Sequence, residues 1–293
     1  MSLRSALARF VEFRGATQSQ GHIKPLHWYV ACRLVVEGGF DPDEIMPRPP
    51  FRVDRLKGRA VLVHEPGSGS GGERTVYGGL KTKDVDVVVT KEGIGPVLAV
   101  SCRGSIGAFR NLTNRMEEAV GDCTNLHIAY PPLVYGYLVV MRANRAEEVG
   151  RAREQPEPAQ EQSSRDLTDN DVAIDGQGRP VAVIRRYHAA LCELTNRRGV
   201  RNDLSRYEAI AIALASTHRE HAGMLVDEFP EPDSPLRFER FFETLYRQYD
   251  ERFVYGAPDL RKVTARKEWA GTSAAFSSGL MANLDYEPRI DGS

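Results

Sequence analysis

The chain has 293 residues, 41% of them hydrophobic and 27% charged, with 39 basic against 40 acidic residues for a formal net charge of −1. That is globular composition, long enough for one large domain or two modest ones, and no apolar run approaches the ~20 residues that crossing a bilayer requires, which excludes a helical membrane protein. The balanced charge also excludes a nucleic-acid partner held by the overall field; such a partner has to be gripped by a local patch. The four cysteines, Cys32, Cys102, Cys123 and Cys192, are far apart, with neither the close pairs of a zinc site nor the density of a disulfide framework. With no apolar signal segment at the N-terminus, these features predict a soluble, cytoplasmic protein with reduced thiols.

In chain order, residues 2–13 and 25–37 carry apolar side chains at three-to-four spacing and predict two helices, the second stopped by Gly38-Gly39. Prolines at 42, 47, 49 and 50 make residues 40–51 an extended crossing, and a strand is expected at 59–64. The Gly/Ser stretch 67–72 lacks both the GK[ST] ending and the following helix of a phosphate cradle, so it is expected to be a flexible loop. Residues 84–90 (DVDVVVT) are a β-branched run, 91–96 a turn-rich connector and 97–102 a second apolar run, together a hairpin. Ile106, Phe109, Leu112, Met116 and Val120 then predict a helix over 105–120 capped at Gly121, and after Pro131-Pro132 the run 133–141 (LVYGYLVVM) predicts a central strand.

Residues 151–165 (RAREQPEPAQEQSSR) have linker composition. Beyond them, 181–194, 205–218 and 236–253 carry helical patterns, the middle one with Ser205 as N-cap and Glu208 at the capping-box position. The organisation expected is a domain over 1–150, a linker over 151–165 and a mainly helical domain over 166–293.

Chemistry is concentrated in the hairpin. Alternation along a strand puts Asp84 and Asp86 on one face, and on the neighbouring strand it puts Ser101 and Arg103 together beside Asp86. In this the chain resembles the PD-(D/E)XK nuclease superfamily, the restriction-endonuclease-like fold. Asp86 matches that family's strand aspartate, Ser101-Cys102-Arg103 occupies its acidic-X-Lys triplet, and 105–120 and 133–141 supply the helix and strand that come next; the likeness covers roughly residues 20–145. It implies an α/β fold with a restriction-endonuclease-like mixed sheet flanked by helices, a metal site of Asp86 and Asp84 holding Mg²⁺, and DNA as substrate.

Two residues depart from the pattern. Ser101 puts a neutral hydroxyl where an acid completes the site, and Arg103 puts a planar guanidinium where a lysine activates water. Glu118, on the next helix, is the expected compensating acid, ahead of Glu37 and Glu117. Arg110, Asn111, Asn114 and Arg115 on that helix are competent phosphate or base-edge donors. The expected function is therefore a metal-dependent DNA phosphodiesterase of restriction or anti-phage type, with Asp86, Ser101, Arg103 and Glu118 catalytic. The alternative is a catalytically degenerate nuclease-like subunit that binds nucleic acid or assembles a defence complex, as a homo-oligomer or with other proteins. Outside this region, Arg185, Arg186, Arg197, Arg198 and Arg201 form a basic cluster. His218 and His221 lie three apart on an expected helix with no acidic partner at metal-site spacing. His22, His27 and His127 could lie near the nuclease face, but the sequence alone does not place them.

Overall fold

A computed structural model of the chain describes residues 2–15, 20–147, 168–277 and 284–292. Two N-terminal helices form as their periodicity requires: α1 (Leu3–Glu12), capped by the Ser2 side chain, and α2 (Lys24–Val36), opened by Pro25 in its first turn. Gly39 ends α2 at φ +72°, where an added Cβ would lie 2.1 Å from the Lys267 carbonyl, so neither its conformation nor its packing admits a side chain. Six short strands come next, β1 (Ile45–Met46), β2 (Phe51–Leu56), β3 (Arg59–His64), β4 (Arg74–Tyr77), β5 (Thr82–Val85) and β6 (Val87–Lys91), then the long β7 (Gly95–Ser105).

The run 84–90, expected as one strand, breaks at Asp86. Upstream, β5 pairs with β4 in a two-stranded ribbon; downstream, β6 pairs antiparallel with β1 and β7. The chain changes partners at that residue, so the period-two argument that puts Asp84 and Asp86 on one face does not carry across it. The expected helix also shifts. After a 3₁₀ turn at Phe109–Asn111, α3 runs over Leu112–Ala129, straight through Gly121, because Asp122, Cys123, Leu126 and His127 continue its buried stripe. A mid-helix glycine costs about 1 kcal/mol, which this extra packed turn offsets.

After α3 the fully buried β8 (Val134–Arg142) lies parallel to β7, as its apolar run predicts. The expected linker lies largely outside the described residues, and the chain beyond it does not form a separate helical domain. α4 (Ala182–Leu194) packs on the sheet, and Ala209–Ala215, expected within a helix, is β9, parallel to β8. The mixed sheet therefore has the order β1-β6-β7-β8-β9.

In β9 the sequence AIAIALA alternates strictly. Its alanines face α1 and α5 (Phe241–Tyr249), and its Ile210, Ile212 and Leu214 join the core beneath α3 and α4. The small residues admit close helix packing; Gly136 of β8 does the same, where a Cβ would meet Phe241 at 2.8 Å. Helices α1, α2 and α5 thus cover one face, α3 and α4 the other, and the segment 284–292 returns to bond α1 and α2 through Asp285 and Arg289. All four cysteines are free, and among the described residues no helix is long and apolar enough to cross a membrane.

Candidate metal centre

Asp86 sits at the bend where the ribbon meets the sheet, and it is only 2% exposed. Its Oδ2 accepts hydrogen bonds from the Cys102 amide (2.8 Å) and from Nη1 of Arg103 (3.1 Å), which fixes the carboxylate on the neighbouring strand. Its Oδ1 lies 3.6 Å from Nε2 of His27, a residue of the first turn of α2 that is 4% exposed. Glu73, entering β4 from the Gly/Ser loop, brings a third group. One ligand atom from each of His27, Glu73 and Asp86 lies within 4.8 Å of the others. Neither Nε2 of His27 nor Oε1 of Glu73 has a hydrogen-bond partner, although both atoms are buried.

Electrostatics follow from this burial. The His27 pKa is lowered to about 4, chiefly by desolvation, so the imidazole is neutral near neutral pH and its proximity to Asp86 is not an ion pair. Burial raises Glu73, and the adjacent Asp86 charge and hydrogen bond raise it further. Burial also raises Asp86, against the pull of Arg103 and the Cys102 amide. Two carboxyls this close cannot both ionise cheaply, while Arg103 and the Cys102 amide favour the charged form of Asp86.

The ribbon that carries Glu73 is tied to α3 by Asn125. Its Oδ1 accepts from the Leu80 and Lys81 amides at 2.8 and 3.0 Å, and its Nδ2 donates to the Lys81 carbonyl at 2.9 Å. One turn earlier, Asp122 pairs with Lys83 of β5 at 2.5 Å and lies 3.6 Å from Arg103, so the guanidinium bridges Asp86 and Asp122.

The residues singled out by sequence divide accordingly. Asp86 and Arg103 are in the cluster, Arg103 with 24% of its side chain exposed. Asp84 is not; exposed on the ribbon, it accepts a hydrogen bond from Thr75. Ser101 is buried, with its hydroxyl 2.9 Å from that of Tyr135, in the core beneath α3 rather than beside Asp86. Glu118 is exposed, and the α3 carboxylate that reaches the cluster is Asp122, four residues on. Arg110 and Asn114 are exposed and Arg115 half-buried around the start of α3. The further basic cluster is only partly a surface feature, because Arg197 is fully buried against Glu208. His218 and His221 are on an exposed 3₁₀ turn, and Glu220 does join them, but all three are solvated.

The sequence offers His27 as one of three unplaced histidines and does not single out Glu73. The available signals are a lone histidine in a largely apolar helix and an acid directly after a glycine run, neither of which has a defining spacing.

No family model matches this chain, and no curated protein or solved structure matches it either.

Proposed function

We propose that the chain is a metal-dependent phosphodiesterase acting on DNA, of restriction-endonuclease-like architecture, working in the cytoplasm within a restriction or anti-phage system. The observation that carries this is the cluster of His27, Glu73, Asp86 and Arg103 at the junction of a β-hairpin, an N-terminal helix and the helix after the hairpin, with two buried ligand atoms left without partners. Arg103 lies opposite Val139 in the parallel register, toward the carboxyl ends of β7 and β8, where open α/β sheets place their ligands.

The residues fit a divalent cation, since two carboxylates and a neutral imidazole are good donors that satisfy one another poorly. A bound cation would supply Lewis-acid stabilisation of a phosphate oxygen and ease deprotonation of water. Arg103 places a permanent positive charge beside that position, suited to charge that builds up on a phosphoryl group. Arg110, Asn114 and Arg115 would hold the flanking backbone, as positioning contacts without sequence information. The test is cleavage of plasmid and linear DNA across divalent ions. Asp86→Asn is expected to lower the rate by at least a thousandfold with the fold intact, and an unchanged rate would remove the assignment.

A second reading is favoured by Ser101, whose hydroxyl is engaged by Tyr135 rather than turned to the cluster. In it the chain binds nucleic acid or assembles a complex without cleaving. Salt-sensitive DNA binding with no cleavage in any divalent ion is the outcome that would select it.

A further inference from the structure

The resemblance to nucleases implies Mg²⁺, but the donors assembled here point elsewhere. Mg²⁺ and Ca²⁺ are hard cations that take oxygen ligands, whereas an imidazole nitrogen gains most from the first-row transition metals, with affinities that rise along the series toward copper and fall back at zinc. We propose that Nε2 of His27 and carboxylate oxygens of Glu73 and Asp86 form one mixed nitrogen–oxygen site selective for a first-row transition-metal dication over Mg²⁺ and Ca²⁺. This builds on the metal-dependent reading above, but it does not require that DNA be the substrate.

Three observations support it independently of the nuclease likeness. The ligands come from three segments, the first turn of α2, the entry to β4 and the β5–β6 bend, and they converge within 4.8 Å. Nε2 of His27 is enclosed yet unpartnered, and a buried polar atom left without a partner is unfavourable unless something else meets it. Its 3.6 Å separation from Oδ1 of Asp86 is too long for a hydrogen bond. It is close to the separation of roughly 3.0–3.5 Å between two ligands that each sit about 2.1 Å from a shared ion. Asp86 is also pre-set for this role: Oδ2 is taken by Cys102 and Arg103, which leaves Oδ1 as the oxygen turned toward His27.

The exposed trio His218, Glu220 and His221 is a useful contrast. It has similar donors, but none is buried and none of its atoms is a buried orphan, so water satisfies it.

The test uses Co²⁺ as a spectroscopic probe on the full-length, metal-stripped protein, by visible d–d absorption, with no DNA present. One equivalent is expected to bind, and a hundredfold excess of Mg²⁺ is expected to displace less than half of it. His27→Gln and Glu73→Gln are each expected to weaken Co²⁺ binding at least tenfold. Glu73 is half-exposed, so its variant keeps the test open if the buried His27 position does not tolerate exchange. No saturable spectrum, displacement by equimolar Mg²⁺, or unchanged affinity in a folded Glu73→Gln variant would overturn the proposal. Co²⁺ binding without DNA cleavage in any ion would leave this site standing and remove the phosphodiesterase reading; cleavage in Mg²⁺ with no Co²⁺ binding would do the reverse.

Discussion

Two groups of buried charge flank the parallel part of the sheet, and they are built on opposite principles. Near the amino ends of β8 and β9, Glu208 is enclosed completely and every one of its oxygens is used. Oε1 meets Arg197 at 3.0 Å and Arg252 at 2.6 Å, while Oε2 accepts from the Tyr135 amide at 2.6 Å and lies 3.7 Å from His127. Arg197 in turn donates to the carbonyls of Pro131 and Val200, and only its Nε lacks a partner. Burial alone would raise the Glu208 pKa, but the adjacent His127, the Arg252 guanidinium and the Tyr135 amide hold it below its ordinary value. Around Asp86 the balance is reversed. Carboxyl faces carboxyl, the imidazole is neutral, and two buried ligand atoms bond to nothing. Partners that satisfy one another make a structural joint, and groups that do not are kept at a cost that a ligand can repay.

The largest effect that separates the two is on stability. Glu208→Ala leaves two buried guanidinium groups and the Tyr135 amide without their acceptor, and removing one member of a buried ion network typically costs about 3–5 kcal/mol. Chemical denaturation should show a loss of that size with the slope unchanged, and a loss below about 1 kcal/mol would mean that Glu208 is not the centre of the joint.

A smaller effect runs through α3, which touches both clusters, with Asp122 at one and His127 at the other. Asn125 makes three bonds to the turn of the β4–β5 ribbon, which is tightly seated there: a Cβ on Gly78 would lie 2.2 Å from the Asn125 side chain. Because the Leu80 and Lys81 end of that turn is solvent-facing, water can replace part of what Asn125→Ala removes, and the expected cost is about 1–2 kcal/mol. Its sharper consequence is for Glu73 at the other end of β4, so Co²⁺ affinity should fall several-fold in a variant that still unfolds cooperatively. Unaltered affinity would show that the ribbon holds Glu73 without this anchor.

Legibility in the sequence divides along the same line. The helical stripes of α1, α2 and α4, the β6–β7 hairpin and the apolar β8 are local patterns, and Asp86 with Arg103 emerges from the spacing of the hairpin. β9 reads as helix because its alanines are strong helix formers; only their strict alternation with Ile210, Ile212 and Leu214 marks a strand whose other face must admit helices closely. Glu208 reads as a capping residue, since nothing local foretells two arginines, one 11 residues before it and the other far downstream in the chain. Asp84 and Asp86 share a face only if the strand is unbroken, and the break is set by long-range pairing with β4 on one side and β7 on the other. His27 and Glu73 are brought to Asp86 by tertiary packing alone, which no spacing rule encodes.

The smallest expected stability effect is the most discriminating, because it is where the two clusters should differ most. Asp86→Asn keeps an oxygen to accept from the Cys102 amide and keeps the side-chain volume. It removes one charge from Arg103, which retains Asp122 at 3.6 Å, and it also removes the carboxylate that Glu73 must face. The lost attraction and the relieved repulsion oppose each other, so the net change in unfolding free energy should stay within about 1 kcal/mol of zero, against several for Glu208→Ala. The same substitution takes away a charged metal ligand, so it should abolish Co²⁺ binding and cleavage together. A residue whose replacement leaves stability intact and removes binding is held in place for a ligand. If Asp86→Asn instead costs as much stability as Glu208→Ala, the Asp86 cluster is a second structural joint, and the contrast between the two groups of buried charge fails.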